Sequence, residues 1–520
     1  MTGIEPEIRP EQRRRPPSLR QWLTPDIPGS RLMGWLGPLF VTLIAAALRF
    51  YDLAKPRAII FDETYYAKDA YALLKFGYEH NTVKDADKLL LRHPPNLNIW
   101  SDGGSFIAHP PAGKWLIAAG EWMFGMNPFG WRFAGALIGT LSVLILARVA
   151  RRMTRSTLLG TAAGLLLALD GMHLVTSRTA ILDIFVMFWV LAGFACIVLD
   201  RDVSRARLAR KVSERGGDEA LGPFVMHWWL IPAGLCLGTA TATKWTGLYY
   251  VAAFGVLAVV WSVGARRSAG VRRPYLGALA LETLPAFASI VVVGLVTYIT
   301  WWSGWIFNAG GWGRGTVARN PITALFQALP RLWDYHRQMW HFHTTLTVHH
   351  DYQSWPWNWM VLKRPVAFYY TEPPSCGGAA KCSREVLDVG TPAIWWVSIV
   401  TLLVLAAWWL VQRDWRAGGV LLGFLAGWLP WFYYGFNHRT MFLFYANPMV
   451  PFMVLSIVLV IGLIVGPADA LPARRVLGAA AAGAYLLIVL ANFYYLYPVL
   501  AGQVMPYDSW HARMWIDTWI

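Results

Sequence analysis

The chain has 520 residues, of which 56% are apolar or aromatic, only 15% are charged and 30 are Trp, with a mean hydropathy of +0.39. About a quarter of a soluble protein's residues are charged, so a simple water-soluble globule is excluded. The net charge of +16 would suit nucleic acid if it lay on one soluble face. Most of it sits instead in short connectors between apolar blocks, which points to membrane orientation and no nucleic-acid partner.

The chain opens with a basic arm, residues 1–31, carrying Arg13, Arg14, Arg15 and Arg20. The first apolar run begins only near Leu32, so no cleavable leader is expected, and the arm is expected to stay in the cytosol. Eleven apolar blocks then follow, near 32–49, 132–149, 157–175, 180–199, 226–243, 246–263, 279–302, 393–411, 418–434, 447–465 and 476–497. Each is long enough to cross a hydrocarbon layer of about 30 Å as a helix. With the amino terminus inside, Arg148 to Arg155, Arg201 to Arg215, Arg266 to Arg273, Arg413 with Arg416, and Arg474 with Arg475 all fall on the cytosolic side, the positive-inside pattern. The reading is an all-α polytopic membrane protein of about eleven transmembrane helices, with a multi-pass plasma-membrane location and the carboxyl terminus outside. Its parts are an amino-terminal module at 32–302 with a long outer loop at 50–131, an extracytoplasmic loop at 303–392, carboxy-terminal helices at 393–497 and an outer tail at 498–520.

The two long outer segments are rich in Trp, Tyr, His and Pro. Loops of this length are usually functional or disordered, and their aromatic content argues against disorder. Short amphipathic helices at the membrane interface are expected there. No inverted repeat of the secondary-transporter kind is visible, apart from a thin break at Thr243 to Gly247. Cys196 and Cys236 lie in apolar blocks as inert packing, whereas Cys376 and Cys382 share a polar segment and can pair if it lies in an oxidising compartment.

Asp62 and Glu63 follow the first span, where apolar walls can exclude water and make a general base or acceptor-orienting group; an ordinary solvated acidic pair is the alternative. His93-Pro94-Pro95 and His109-Pro110-Pro111 follow, the second continuing to Lys114. Paired prolines cannot continue a helix, so they either hold a His and a Lys at a fixed angle to an anionic headgroup or simply mark a turn. Arg132, Arg178, Asp183, Lys244 and Arg439 border spans. Arg178, Lys244 and Arg439 share the outer ends, where cations converging on one leaflet form a phosphate pocket, unless each merely snorkels. His336, His341, His343, His349 and His350 cluster with Asp351, but without zinc-type spacing. No metal is assigned, and an aromatic, hydrogen-bonding lining for a sugar or peptide fits them better.

These motifs together resemble the protein O-mannosyltransferases, membrane enzymes of the GT-C glycosyltransferase class. The resemblance rests on Phe61 to Lys68, His109 to Lys114, Trp131 to Phe133, Arg178 to Asp183, Thr243 to Leu248, His343 to Leu346, Tyr352 to Trp357, Lys363 to Val366, and Arg439 to Tyr445 ahead of Pro448. It runs over nearly the whole chain. It implies transfer of mannose, with inversion, from polyprenyl phosphate mannose to Ser or Thr hydroxyls of secreted or membrane polypeptides. Asp62 is the implied base and Glu63 helps to hold the acceptor. Arg178, Lys244 and Arg439, then Arg132 and Lys114, are the candidates for the donor phosphate; His109, Asp183, Tyr65, His343 and Trp355 are those for sugar or acceptor. No metal or other cofactor is required; membrane lipid surrounds the chain, and coupling to the secretion channel is left open. Fungal and animal relatives look to carry a β-trefoil domain in the second outer loop, for which about 90 residues leave no room. The chain therefore looks like a bacterial, actinobacterial-type member. A lipid-linked glycosyltransferase with a lipid or glycan acceptor, or a polyprenyl-sugar flippase, remains as an alternative.

Overall fold

A computed structural model describes residues 32–214 and 220–520 together with Leu19, Leu23 and Ser30. The arginines of the amino-terminal arm and Arg215 lie outside the described residues. We label the principal elements α1 Met33–Phe50, α2 Glu63–Phe76, β1 His80–Thr82, β2 Trp100–Gly104, α3 Ala112–Phe124, α4 Pro128–Thr154, α5 Thr157–Ala168, α6 Gly171–Ser177, α7 Asp183–Glu214, α8 Leu230–Thr243, α9 Gly247–Ser268, α10 Thr283–Trp301, α11 Pro321–Thr345, β3 Val366–Thr371, β4 Cys382–Asp388, α12 Pro392–Gln412, α13 Trp415–Phe436, α14 Leu443–Val465, α15 Pro472–Leu500 and β5 Val504–Pro506.

Every apolar block of the sequence becomes helical, but not every block is one continuous span. Among the described residues nine helices are long and apolar enough to cross a membrane: α1, α4, α7, α9, α10, α12, α13, α14 and α15. The block at 157–175 is broken into α5 and α6 at a 63° bend, making up to ten spans. The block at 226–243 yields only the 14-residue α8. Burial sorts the helices: the best apolar windows of α7 and α14 are 72% buried, while that of α15 is 17% buried. The first two form the protein interior, and the outer faces of α1 and α15 are left for lipid.

The bend between α5 and α6 has a local cause. Asp170 caps α6 by accepting the His173 N–H at 2.9 Å, satisfying a free helix-start donor, and it also accepts the Trp395 indole N–H at 2.8 Å. His173 in turn touches Arg49 at 2.5 Å and Ser142 at 2.9 Å. One buried polar network thus ties α1, α4, α6 and α12 together.

The two long polar segments leave the bundle on the same face and pack on each other: Tyr335 on α11 bonds Ile107 and His343 bonds Ala108. As expected, they contain short helices (α2, α3) and the 25-residue amphipathic α11. Two small antiparallel sheets add to the helical reading, β1 with β2 and β3–β4–β5. In the second, Cys382 to Arg384 pair with Val504 to Pro506, which seats the tail on the loop face. A disulfide joins Cys376 to Cys382. At the opposite face the arginine connectors meet, with Arg152 on Asp202 at 2.9 Å and the Arg201 guanidinium 3.5 Å over the Trp415 ring.

Asp170→Ala removes a cap and leaves the Trp395 N–H unpaired in the interior, so a loss of about 2–4 kcal/mol is expected, read as a lowered thermal midpoint of the detergent-solubilised protein; an unchanged midpoint would show that the bend does not depend on this cap.

Candidate active site

On the loop face a narrow cleft opens between the first outer segment, the α8–α9 break, α11 and the start of α14. His109, Asp183, Lys244, His343, Arg439 and Tyr445 line it. The chain reaches this arrangement through breaks in regular structure. α8 ends at Thr243 and Lys244 is extended before α9 begins, so its side chain leaves the helix axis. A side chain at Gly247 would lie 2.4 Å from the backbone of Thr241, which makes glycine necessary for so tight a break. The Lys244 ammonium pairs with Asp183, the first residue of α7, at 2.6 Å and lies 5.0 Å from the centre of the Tyr445 ring. Arg439 donates to the His343 carbonyl at 2.7 Å and approaches the His343 Nδ1 at 3.3 Å. Its guanidinium is within about 6 Å of the Trp431, Tyr434 and Tyr445 rings, a cation cage.

Asp62 stands immediately before α2 and is partly exposed. Its carboxylate has no hydrogen bond or ion pair among the described residues. Burial pushes its pKa up to about 7, with Lys244 pulling it down and Asp183 pushing it up. The unpaired carboxylate thus shares one electrostatic environment with the Lys244–Asp183 pair, near neutral titration. The preceding Phe61 has φ +45°, a strained value for an aromatic residue. It is held there by stacking on Phe368 at 4.5 Å and by edge contact with Phe444 at 5.6 Å.

Glu63 is not part of the cleft, and its expected role with the acceptor is corrected. It is fully buried and paired with Arg132 through two bonds, Nε to Oε1 at 2.7 Å and Nη2 to Oε2 at 2.9 Å. The backbone N–H groups of Ile60 and Ala180 donate to the same carboxylate at 3.0 and 3.2 Å. Arg132 uses its remaining donors on the carbonyls of Leu53, Pro56 and Ala58. Neither group has a free valence for substrate, so Arg132 is likewise withdrawn as a phosphate ligand. Lys114 is fully buried against Glu79 and donates to the His109 carbonyl at 3.0 Å; it positions His109 and does not reach the cleft. Arg178 lines a different pocket, bonded to the carbonyls of Leu48, Arg49, Tyr51 and Asp52 at the end of α1. Tyr65 is 62% exposed on α2, and Trp355 packs on Trp357 and His438; neither lines the cleft.

His109 and His343 do line it, with ring centres 5.0 Å apart. Burial holds both below the ordinary imidazole range, His343 at about 4. Both are neutral at physiological pH, and the buried His109 Nδ1 has no partner among the described residues. The aromatic cage of Trp431, Tyr434 and Tyr445 escaped sequence reasoning, although aromatic residues crowding around Arg439 were its signal. Glu79 escaped it too, because nothing local links it to Lys114.

Adjoining the cleft lies a larger cavity of about 790 Å³, apolar and lined from α8, α9, α10 and α11 by residues that include Leu248, Ile290, Leu295 and Trp333. Trp245 and Trp340 line both spaces. The cleft sets Lys244 and Arg439 among His and aromatic side chains and shares Trp245 and Trp340 with the apolar cavity, so basic groups and an apolar space adjoin.

Residues 39–267 match the family described as dolichyl-phosphate-mannose-protein mannosyltransferase, and residues 328–519 match the C-terminal four TMM region of protein-O-mannosyltransferase. The chain is 38% identical to the polyprenol-phosphate-mannose–protein mannosyltransferase of Mycobacterium tuberculosis, across 95% of this chain and 93% of that protein. It is 32% identical to the protein of the same description from Corynebacterium glutamicum, across 92% of each. Its fold matches the Saccharomyces cerevisiae protein O-mannosyltransferase Pmt1–Pmt2 complex bound to the sugar donor, with a TM-score of 0.70, 14% identity and coverage of 96% of this chain and 95% of that one. The chain belongs to the protein mannosyltransferase family and has the GT-C fold.

Because a buried ion pair that loses one partner costs about 3–5 kcal/mol, Glu63→Gln should lower the thermal midpoint sharply. Asp62→Asn should raise it at pH 8. The unfolded carboxyl titrates at 3.8 and the folded one at about 7, so the folded state binds the extra proton and wild-type stability falls as pH rises between those values. The Asn side chain escapes that loss. Equal midpoints for the two variants at pH 8 would contradict the division of roles.

Proposed function

We propose that the protein transfers mannose from polyprenyl phosphate mannose to Ser or Thr hydroxyls of polypeptides, by one displacement that inverts the anomeric carbon. The observation that carries this reading is the unpaired Asp62 carboxylate in the same electrostatic environment as Lys244, whose cleft shares Trp245 and Trp340 with an apolar cavity able to take the lipid tail. The tail lies in the cavity under Trp245 and Trp340, and the phosphate meets Lys244 and Arg439. Asp183 keeps Lys244 aimed, and the aromatic cage keeps Arg439 in place.

A Ser or Thr hydroxyl is a poor nucleophile at neutral pH. Asp62 accepts its proton as the oxygen attacks the anomeric carbon, a contribution of about 10²–10⁴ in rate. On the other side the carbon–oxygen bond to phosphate breaks, and the leaving lipid phosphate takes the electron pair. Lys244 and Arg439 stabilise that charge where it develops. A phosphate leaving group needs no general acid, and two cations suffice for a monophosphate, so the reaction takes neither metal nor cofactor. His109, which lines the cleft, packs against the sugar. The cleft faces the outside of the plasma membrane, with the arginine connectors and the amino terminus in the cytosol. Acceptors arrive unfolded as they leave the secretion channel.

The test uses purified protein, labelled lipid-linked mannose and a Ser/Thr-rich peptide. Asp62→Asn should cut transfer by about 10²-fold or more while donor binding persists, and retained turnover would remove the base. Asp62 must be ionised to act, so wild-type kcat/KM should rise with pH up to about 7 and then level off; a profile flat from pH 5 to 8 would contradict this. Lys244→Gln should raise the donor KM far more than the peptide KM.

A further inference from the structure

Arg178 marks a second basic site. A pocket of about 290 Å³ lies where the loop-face ends of α1 and α15 meet β4 and β5; Tyr51, Lys55, Arg178, Arg384, Tyr497 and Gln503 line it with Asp52. It shares no lining residue with the cleft. Three cations face one carboxylate there, and the carboxylate is already taken by Lys55 at 2.9 Å. Arg178 is 7% exposed and fixed by the four carbonyls that end α1, so its positive charge cannot swing away. Arg384 is held by one bond, Nε to the Gly502 carbonyl at 2.7 Å. That leaves its two terminal nitrogens without partners among the described residues. The Tyr51 and Tyr497 hydroxyls and the Gln503 amide are likewise unpartnered there. Donors thus converge in excess, and the fitting ligand is an oxyanion with several acceptor oxygens.

The position of the pocket narrows the ligand further. α1 and α15 are the most lipid-exposed of the helices around it; Leu43 on α1 and Leu490 and Tyr494 on α15 point outward from the protein. α5 packs on α1, and α6 packs on α15, so the broken span lies between the two. A basic pocket at the ends of such helices sits at headgroup depth with acyl-covered surface directly below. We propose that this pocket binds the phosphate ester of an anionic phospholipid. Arg384 and Lys55 grip the phosphate, the two tyrosines and Gln503 donate to it, and Arg178 supplies fixed charge. The site is separate from the one assigned to the sugar donor and does not depend on that assignment.

Full-length protein in micelles containing equal amounts of phosphatidylglycerol and phosphatidylcholine is the system to test, with lipid retention counted by native mass spectrometry. Wild type should retain phosphatidylglycerol in preference. Retention by Lys55→Gln/Arg384→Gln should fall by about tenfold or more, with an unchanged thermal midpoint showing that the variant is folded. Tyr51→Phe/Tyr497→Phe, which keeps every charge, should reduce it by a smaller factor and serves if the first variant does not fold. Millimolar inorganic phosphate should not displace the lipid. Equal retention of both lipids, retention unchanged in folded variants, or ready displacement by phosphate would overturn the proposal, the last by making a free phosphate the ligand.

Discussion

The buried pair of Glu63 and Arg132 is the constraint on which the candidate site depends. It joins the segment after the first span to α4, and its accessory bonds reach Leu53, Pro56, Ala58, Ile60 and Ala180. Burying two charges is expensive unless the geometry is good and every remaining donor and acceptor is used. Here every one is used, so the segment has one low-energy path. Asp62, one residue earlier, inherits that fixity without being tied itself. An adjacent acidic pair has been divided into an anchor, Glu63, and a free carboxylate, Asp62.

The same division runs through the cations. Of the five basic residues considered, only Lys244 and Arg439 line the cleft. Arg132 and Lys114 close buried pairs, and Arg178 caps a helix end. A helix terminus inside a membrane protein leaves carbonyls that water cannot satisfy, and an arginine that satisfies four of them at once has a structural task before any other. Position beside a span therefore does not tell a ligand from a cap. The cap at Arg178 also fixes a charge beside Arg384, which is how a structural group comes to contribute to a second pocket.

Much of the architecture was legible. Apolar blocks and one-sided arginines follow from the energetics of the bilayer, which act on composition over some 20 residues; all eleven blocks became helical. What a window cannot show is a bend, so the α5–α6 break at Asp170 read as one span and the short α8 read as a full one. The sheet of β3, β4 and β5 stayed hidden because its register joins residue 382 to residue 506. In the site, Lys244 at a break and Asp62 after a span were visible locally. The partners that decide the fate of Glu63, Arg132 and Lys114 lie 69 and 35 residues away, and no local pattern records them.

We propose that a mannosyl phosphate binds between Asp62 on one side and Lys244 with Arg439 on the other. The most direct measurement is an experimental structure with a non-transferable phosphonate analogue of polyprenyl phosphate mannose. Phosphorus is expected within ion-pair distance of Lys244 and Arg439, the tail in the cavity beneath Trp245, and the anomeric carbon open to Asp62 from the face opposite the phosphate. Phosphorus seated against Arg178 and Arg384, or Asp62 on the same side of the sugar as the phosphate, would contradict it.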